Sequence, residues 1–203
     1  MSAEAPRGPE SFAFTPENRA KAEAAIAKYP AGRQASAVLA LLDLAQRQSG
    51  GWLPRAAIEH VAGMLEMPAM RVYEVATFYS MFNLKPVGTY LVQLCRTTPC
   101  WLRGSDGVRD ACKAKLGIGI GETTADGKFT LVEVECLGTC VNAPVVQIND
   151  DFYEDLTPGK IEEILERLGR GETVPYGVQI KRQFSAPAGG LTTLRDLGGA
   201  EKS

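Results

Sequence analysis

Two short segments carry four of the five cysteines, and this clustering constrains the fold more than any other feature of the sequence. Cys95 and Cys100 form a C-x4-C pair, and Cys136 and Cys140 form a C-x3-C pair. Residues 101–135 separate the pairs, so a fold that uses all four thiols together must bring distant parts of the chain to one place. Four thiolates are ligands that soft metal centres prefer, either tetrahedral zinc or an iron–sulfur cluster.

The cysteine spacing leaves zinc and iron–sulfur ligation both open. Plant-type ferredoxins also begin with C-x4-C but continue with C-x2-C, whereas many zinc sites use C-x2-C to C-x4-C pairs. Small residues beside the cysteines, such as Thr97, Gly138 and Thr139, allow backbone N–H groups to point at the sulfides of a cluster. These donors favour the cluster, although Gly138 and Pro144 also fit a simpler role as residues that shape a turn.

Other chemistries of cysteine and histidine lack the residues that they need. His60 is the only histidine, whereas a Rieske centre needs two and a cysteine nucleophile needs one nearby. Because His60 lies far from the cysteines in the sequence, we expect a surface or half-buried residue. The chain has no C-x-x-C pair for dithiol exchange and no convincing glycine-rich nucleotide motif. We therefore expect no catalytic residue.

Three further residues lie near the cysteine pairs in the sequence. Cys112 has no second thiol at ligand spacing, so we expect a small buried apolar residue within a helix. Trp101 directly follows Cys100, and we expect it to shield the site from water. Arg103 either offsets the negative charge of a bound cluster or stays solvated, and the sequence favours neither role.

The composition excludes several classes of function. Hydrophobic residues make up 45% of the chain and the net charge is −2, which indicates a globular protein without the basic face that nucleic-acid binding requires. No apolar run approaches the roughly 20 residues of a membrane-spanning helix, so we expect no membrane insertion. Met1 to Glu10 lacks the apolar core of a secretory signal. We therefore expect a cytosolic protein, in which clustered cysteines indicate metal binding rather than disulfides.

Residues 15–86 have the pattern of a small helical domain, and a lead-in at 1–14 that is rich in Pro, Gly and Ala precedes it. The first helix has a threonine at its N-cap and a proline at its first position, both typical of a helix start. The second helix has an apolar stripe that includes Leu39. The first of the four expected helices begins at Thr15 and ends before Pro30, and the second covers about 34–48. The third begins at Pro54, and the fourth runs from Pro68 to Phe78.

Residues 87–170 alternate strands with helices, which predicts a mixed α/β domain. One strand over 90–94 ends on Cys95, and another over 129–135 runs into Cys136. Both pairs therefore follow the C-terminal ends of strands, where sheet proteins of this class tend to place their sites. The other expected elements are a helix over 106–116 capped by Ser105, a hairpin around 149–151, and a last helix from Thr157-Pro158.

The final segment, residues 171–203, has no periodic pattern and contains several glycines and prolines. We interpret it as an extended arm that becomes ordered on a partner, and a disordered tail is the alternative. The sequence thus predicts an α+β chain in which a four-helix bundle is followed by a sheet domain with the cysteines and by this arm.

Several motifs spread over nearly the whole chain carry a resemblance to a known family. They are Phe14-Thr15-Pro16-Glu17-Asn18, Ala76-Thr77-Phe78-Tyr79-Ser80-Met81-Phe82, Cys95-x4-Cys100-Trp101, Gly121-Glu122-Thr123-Thr124-x-Asp126-Gly127, Cys136-Leu137-Gly138-x-Cys140-x-x-Ala143-Pro144 and Pro187-Ala188-Gly189-Gly190-Leu191-Thr192. The sequence resembles the small 2Fe–2S subunit of the NADH-oxidising part of respiratory complex I. Its tail looks like that of mitochondrial members and their bacterial relatives.

The resemblance implies a thioredoxin-like ferredoxin fold for residues 87–170. It implies that one 2Fe–2S cluster is bound by four thiolates, which are Cys95, Cys100, Cys136 and Cys140. It further implies an electron-transfer subunit of NADH:quinone oxidoreductase that contacts a flavoprotein subunit and a neighbouring iron–sulfur subunit. FMN and NADH would then bind to the flavoprotein and not to this chain. In that family the cluster lies off the main electron route to ubiquinone and holds an electron transiently.

Two alternative hypotheses remain beside that function. The chain resembles, in the same way, the equivalent subunit of an NAD-linked hydrogenase or formate dehydrogenase, and a zinc-stabilised binding module is the other possibility. The long C-terminal arm favours complex I. The resemblance implies a location in the cytoplasm at the bacterial inner membrane, without insertion, or on the matrix side of the membrane in a mitochondrion.

Overall fold

The computed structural model describes residues 8–181, and within them the chain forms four helices followed by a five-stranded sheet with three further helices. The parts of the predicted lead-in and arm at 1–7 and 182–203 lie outside the described residues. Within 8–181, no helix combines the length and the apolar character that a bilayer crossing requires.

Three of the first four helices begin where the sequence places caps and prolines. The four are α1 (Pro16–Ile26), α2 (Val38–Gln48), α3 (Arg55–Met64) and α4 (Ala69–Phe78), and a short 3-10 helix, Gln34–Ala37, precedes α2. Thr15 accepts a hydrogen bond from the Asn18 N–H at 3.2 Å and so satisfies one of the free donors at the start of α1. Pro54 and Pro68 occupy the N-cap positions of α3 and α4. The predicted helix starts at these three points are confirmed.

One apolar core joins these helices. The α2 residues in this core are Leu41, Leu42 and Ala45, and all three are fully buried. Leu39, which the predicted stripe included, is instead 36% exposed, because the buried face of α2 is centred one residue further along the helix. That face also buries Gln46, a polar residue that an apolar pattern does not identify.

The buried side-chain amide of Gln46 forms hydrogen bonds to the segment that follows α4. Its Nε2 donates to the Met81 carbonyl at 3.0 Å, and its Oε1 accepts from the Asn83 N–H at 2.7 Å. The Asn83 carbonyl then accepts from the Leu53 N–H at 2.7 Å. The segment 79–86, which leads from α4 towards the sheet, is therefore attached to the helices by hydrogen bonds over its first half.

The sheet has the strand order β2-β1-β3-β4-β5 and mixed strand directions. Its strands are β1 (Tyr90–Cys95), β2 (Phe129–Val134), β3 (Val146–Ile148), β4 (Asp151–Glu154) and β5 (Gly177–Val178). β1 runs parallel to β2 and antiparallel to β3, and β3 and β4 form the predicted hairpin. The short β5 pairs in parallel with β4. It was not predicted, since two residues are too few to show an alternating pattern.

Three helices complete this half of the chain, namely α5 (Thr98–Leu102), α6 (Ser105–Leu116) and α7 (Pro158–Gly169). α6 and α7 pack against each other, and their apolar faces share one core with the sheet. Thr157 caps α7 as predicted, accepting from the Lys160 N–H at 3.3 Å. The predicted cap of α6 at Ser105 is wrong. Gly104 takes the N-cap position, because the tight turn after α5 needs a φ of 94°, which glycine adopts without strain.

Gly88 marks the entry to the sheet, where two backbones approach too closely for a side chain. A Cβ at this position would lie 2.8 Å from both the carbonyl carbon and the oxygen of Lys128, and 2.9 Å from the carbonyl carbon of Phe129. The Gly88 N–H also donates to the buried Thr130 Oγ1 at 2.6 Å. Backbone atoms cannot move aside as a flexible side chain can, so the contact fixes how β1 begins.

We predict that Gly88→Ala lowers the free energy of unfolding by about 1–3 kcal/mol, the usual cost of overpacking. The matched control is Gly63→Ala, near the end of α3, where an added Cβ meets nothing within 4 Å. That variant should gain about 0.5–1 kcal/mol from the better helix propensity of alanine. Urea unfolding followed by circular dichroism measures both, and equal effects of the two substitutions would contradict the prediction.

Candidate metal centre

The parallel pairing of β1 with β2 brings the two cysteine segments to the same edge of the sheet. Cys95 is the last residue of β1 and lies opposite Val134, the last residue of β2. Cys136 follows Val134 by two residues, so it leaves the sheet beside Cys95. The predicted placement of the first cysteine of each pair, at the C-terminal end of a strand, is confirmed.

A short helical element after each strand positions the second cysteine of each pair. Cys100 lies on α5, a helix that was not predicted, and Cys140 begins a 3-10 turn, Cys140–Asn142. The Sγ atoms of Cys136 and Cys140 lie 3.3 Å apart. The peptide bond between Ala143 and Pro144, just beyond this turn, is cis.

The two cysteine pairs differ in their exposure to solvent. Cys95 and Cys100 are 3% and 1% exposed and belong to a small apolar cluster with Ala143 and Val145. Cys136 and Cys140 are exposed. The site therefore has an inner pair that is protected from water and an outer pair at the surface.

The four thiols form two pairs rather than a closed cage around one point. In the described part of the chain, no group of three or more His, Cys, Asp or Glu side chains has the geometry to hold a single metal ion. Contacts still connect the thiols, because Cys95 hydrogen-bonds to Cys100 and interacts electrostatically with Cys136 and Cys140.

Backbone N–H groups point at the sulfur atoms from both segments. The Gly138 N–H donates to the Cys136 Sγ at 3.4 Å, which the backbone permits because Gly138 has a φ of 86°. The N–H groups of Leu137 and Thr97 donate to Cys95, and that of Val145 donates to Cys100. These donors are the ones expected around an anionic sulfur centre.

In each pair, one thiol has a lowered pKa and the other a raised pKa. The Gly138 N–H, followed by the Cys140 thiol, lowers the pKa of Cys136. The hydrogen bond to Cys136 and partial burial raise the pKa of Cys140. Burial works to raise the pKa of Cys95, but hydrogen bonds from Thr97 and Leu137 outweigh it and lower that pKa. Burial and the neighbouring Cys95 raise the pKa of Cys100 to about 12. Each pair thus favours one thiolate that accepts a hydrogen bond from its neighbour.

The side chain of Thr139, next to Cys140, adds a separate test of whether a sulfur-rich group fits here. Its Oγ1 is the one buried side-chain nitrogen or oxygen atom within residues 8–181 that has no hydrogen-bond partner. A buried hydroxyl without a partner costs free energy, and such a group indicates that an acceptor belongs beside it. Four thiols, inward N–H donors and this hydroxyl together fit an iron–sulfur cluster.

The structure also decides the roles of the other residues considered in the sequence. Cys112 lies on α6 and is fully buried in the core, and burial raises its pKa to about 12. Its predicted role as a small buried residue within a helix is therefore confirmed. Trp101 is 57% exposed, and its shielding of the site from water stays a prediction. Arg103 is exposed, and its backbone N–H helps to end α5. His60 is half-buried against Phe12 and Phe14, as expected.

Known proteins resemble this chain in sequence, and a solved structure resembles it in fold. The sequence pattern of the thioredoxin-like 2Fe–2S ferredoxin family matches residues 22–169. The chain is 65% identical over 158 residues to the E subunit of the NADH-quinone oxidoreductase of Rickettsia bellii (strain RML369-C), covering 78% of this chain and 95% of that protein. It is 51% identical over 183 residues to the mitochondrial NADH dehydrogenase (ubiquinone) flavoprotein 2 of Dictyostelium discoideum, covering 90% of this chain and 74% of that protein.

A solved structure supports the fold independently of close sequence identity. The crystal structure of an NAD+-reducing NiFe hydrogenase in the air-oxidised state matches 64% of this chain with a TM-score of 0.57 and 22% identity. The match covers only 23% of that hydrogenase chain. At this identity, the likeness is one of fold.

We predict that, in cluster-free protein at neutral pH, iodoacetamide modifies Cys136 first and Cys112 last. The thiolate is the nucleophile, Cys136 is exposed with a lowered pKa, and Cys112 is buried with a raised pKa. Gly138→Ala should slow the labelling of Cys136, because a φ of 86° strains alanine and displaces the N–H donor. Time-resolved mass spectrometry of the labelled peptides measures the order.

The matched control for that substitution is Gly127→Ala. Gly127 also has a positive φ, 69°, and open space around a built Cβ, but it lies in the turn before β2. It should leave the labelling rate of Cys136 unchanged. Labelling of Cys112 or Cys100 ahead of Cys136 would contradict the prediction.

Proposed function

The chain belongs to the thioredoxin-like 2Fe–2S ferredoxin family, and we propose that it serves as the 2Fe–2S subunit of an NADH:quinone oxidoreductase. The observation that carries the proposal is the meeting of two cysteine pairs at one edge of the sheet, with N–H donors directed at their sulfurs. The 65% identity to the Rickettsia bellii protein, over 95% of its length, supports the same function.

The proposed ligands of the single cluster are Cys95, Cys100, Cys136 and Cys140. When bound, a 2Fe–2S cluster supplies one-electron redox chemistry without making or breaking a bond to a substrate. The chain itself holds the four thiolates, offsets their charge with N–H donors and keeps water from the inner pair. Such outer-sphere transfer needs no acid or base from the chain.

The exposed outer pair indicates the side on which we expect electron exchange. Cys136 and Cys140 lie at the surface. Val141, which follows Cys140, is 83% exposed, and Trp101 and Leu102, which follow Cys100, are 57% and 71% exposed. Apolar residues at the mouth of a site are typical of surfaces that a protein partner covers. We infer that this partner is the flavoprotein subunit that binds FMN and NADH, neither of which this chain binds by itself.

The proposed division of the chain follows the same arrangement. Residues 15–86 would form a helical bundle domain and residues 87–170 the cluster domain, after a lead-in at 1–14. Residues 171–203 would be the arm that contacts partners, among them the neighbouring iron–sulfur subunit. Its described part starts on the sheet, where Val174 is buried and β5 pairs with β4. In a bacterium, the complex would lie on the cytoplasmic side of the inner membrane.

We predict that anaerobically purified protein is brown and contains two irons and two acid-labile sulfides per chain, as one 2Fe–2S cluster requires. Dithionite should bleach the visible absorption and produce an EPR signal. Cys→Ser at any of the four proposed ligands should abolish or shift that signal, because the thiolate is lost. Cys112→Ser is the control and should keep the wild-type spectrum. Colourless protein that holds zinc instead would refute the proposal.

A second prediction concerns the partner. Affinity purification of the tagged full chain from its own cells should recover a flavoprotein with bound FMN, identified by mass spectrometry and flavin fluorescence. Replacing Trp101 and Leu102 with serine should reduce that recovery without loss of the cluster, because both side chains are exposed. The control is Met70→Ser, a substitution of a 67% exposed side chain on α4 that should leave the recovery unchanged. Recovery of a hydrogenase or molybdenum subunit in place of complex I subunits would redirect the assignment.

A further inference from the structure

The threonine at the start of α5 does not cap its helix. Within residues 8–181, three α-helices have threonine at the N-cap, namely α1, α5 and α7. Thr15 and Thr157 each accept a hydrogen bond from the N–H three residues along, at 3.2 and 3.3 Å. Thr97 occupies the same position in α5, yet its side chain makes no such bond. Its hydroxyl therefore has another function in the fold.

The Thr97 hydroxyl lies instead among the thiols. Its Oγ1 is 3.4 Å from the Cys95 Sγ, and, after the Gly138 N–H and the Cys140 thiol, the same side chain helps to lower the pKa of Cys136. The backbone N–H of the same residue donates to Cys95 as well. Thr97 thus places its hydroxyl against the buried sulfur of Cys95, where β1 leads into α5.

The direction of this hydrogen bond follows from the chemistry of a metal-bound cysteine. A ligating cysteine is a thiolate, which has no proton and acts as an acceptor. The Thr97 O–H must then be the donor. Its proton goes to the Cys95 sulfur, which is buried and therefore offers the lower dielectric in which such a bond is stronger.

We propose that Thr97 is a positioning residue whose hydroxyl raises the reduction potential of the cluster, an inference that rests on the proposed function. Reduction adds one electron to the cluster and changes no bond to the protein. The added negative charge spreads onto the cysteine sulfurs, so a donor at Cys95 stabilises the reduced state more than the oxidised state. Hydrogen bonds to the sulfurs are among the main determinants of the potentials of such clusters.

The test compares three substitutions in the full-length protein, purified anaerobically with its cluster. Thr97→Val removes the hydroxyl but keeps the shape and the backbone N–H. Thr97→Ser keeps the hydroxyl, and Thr98→Val removes that of the exposed neighbour in the same turn. The potential of each is measured by titration with dithionite, which supplies the electron, and the reduced fraction is followed by EPR.

We expect Thr97→Val to lower the equilibrium constant for reduction about tenfold, which for one electron is a shift of about 59 mV to more negative potential. Thr97→Ser and Thr98→Val should stay close to wild type. If Thr97→Val folds but does not retain the cluster while Thr97→Ser does, the hydroxyl is needed to hold the centre, which supports the positioning role of Thr97.

Two results would overturn the inference. One is an unchanged potential in Thr97→Val, and the other is a loss of the cluster in both Thr97 variants, which would mean that packing and not the hydroxyl matters. Neither affects the proposed function as long as wild-type protein contains the cluster. Wild-type protein without iron and sulfide would refute the proposed function itself.

Discussion

The parallel pairing of β1 with β2 is the interaction on which the rest of the structure depends. Parallel strands need a crossover connection, which here contains α5 and α6, and their C-terminal ends meet at one edge of the sheet. If the two strands ran antiparallel, Cys95 and Cys136 would lie at opposite edges of the sheet. The apolar faces of α6 and α7, packed together with the sheet, keep the pair of strands in register.

Around that edge, the backbone supplies most of the chemistry. N–H groups of Gly138, Leu137, Thr97 and Val145 are directed at sulfur, so the loops are arranged for negative charge in the described structure. The inner pair gains protection from Ala143 and Val145, while the outer pair stays open. Because of this difference, the chain itself covers the inner side of the centre, and the outer side is open for a partner protein to cover.

Much of this could be predicted from the sequence because the signals were local. Thr15 and Thr157 as caps, and the strands that end beside Cys95 and Cys136, each depend on a few adjacent residues. The features that the sequence did not predict depend on tertiary contacts or are very short elements. β5 has two residues, α5 has five, and the burial of Gln46 is explained only by the segment that it binds after α4. The site shows the same division: the four cysteines could be identified from spacing, but the different exposure of the inner and outer pairs could not. Nor could the orientation of the Thr97 hydroxyl, since a threonine before a helix ordinarily indicates a cap.

The single passage of the chain from the helices to the sheet is tied at both ends, by Gln46 at Asn83 and by Thr130 at Gly88. The ion pair between Arg47 and Asp150, with contacts of 2.8 and 3.1 Å, joins α2 to the tip of the β3–β4 hairpin as well. β1 starts just after Gly88 and ends on Cys95, so this one strand connects the tied segment between the helices and the sheet directly to the cysteines. A partner protein that binds the helices would therefore restrict the motion of the cysteine loops without contacting them.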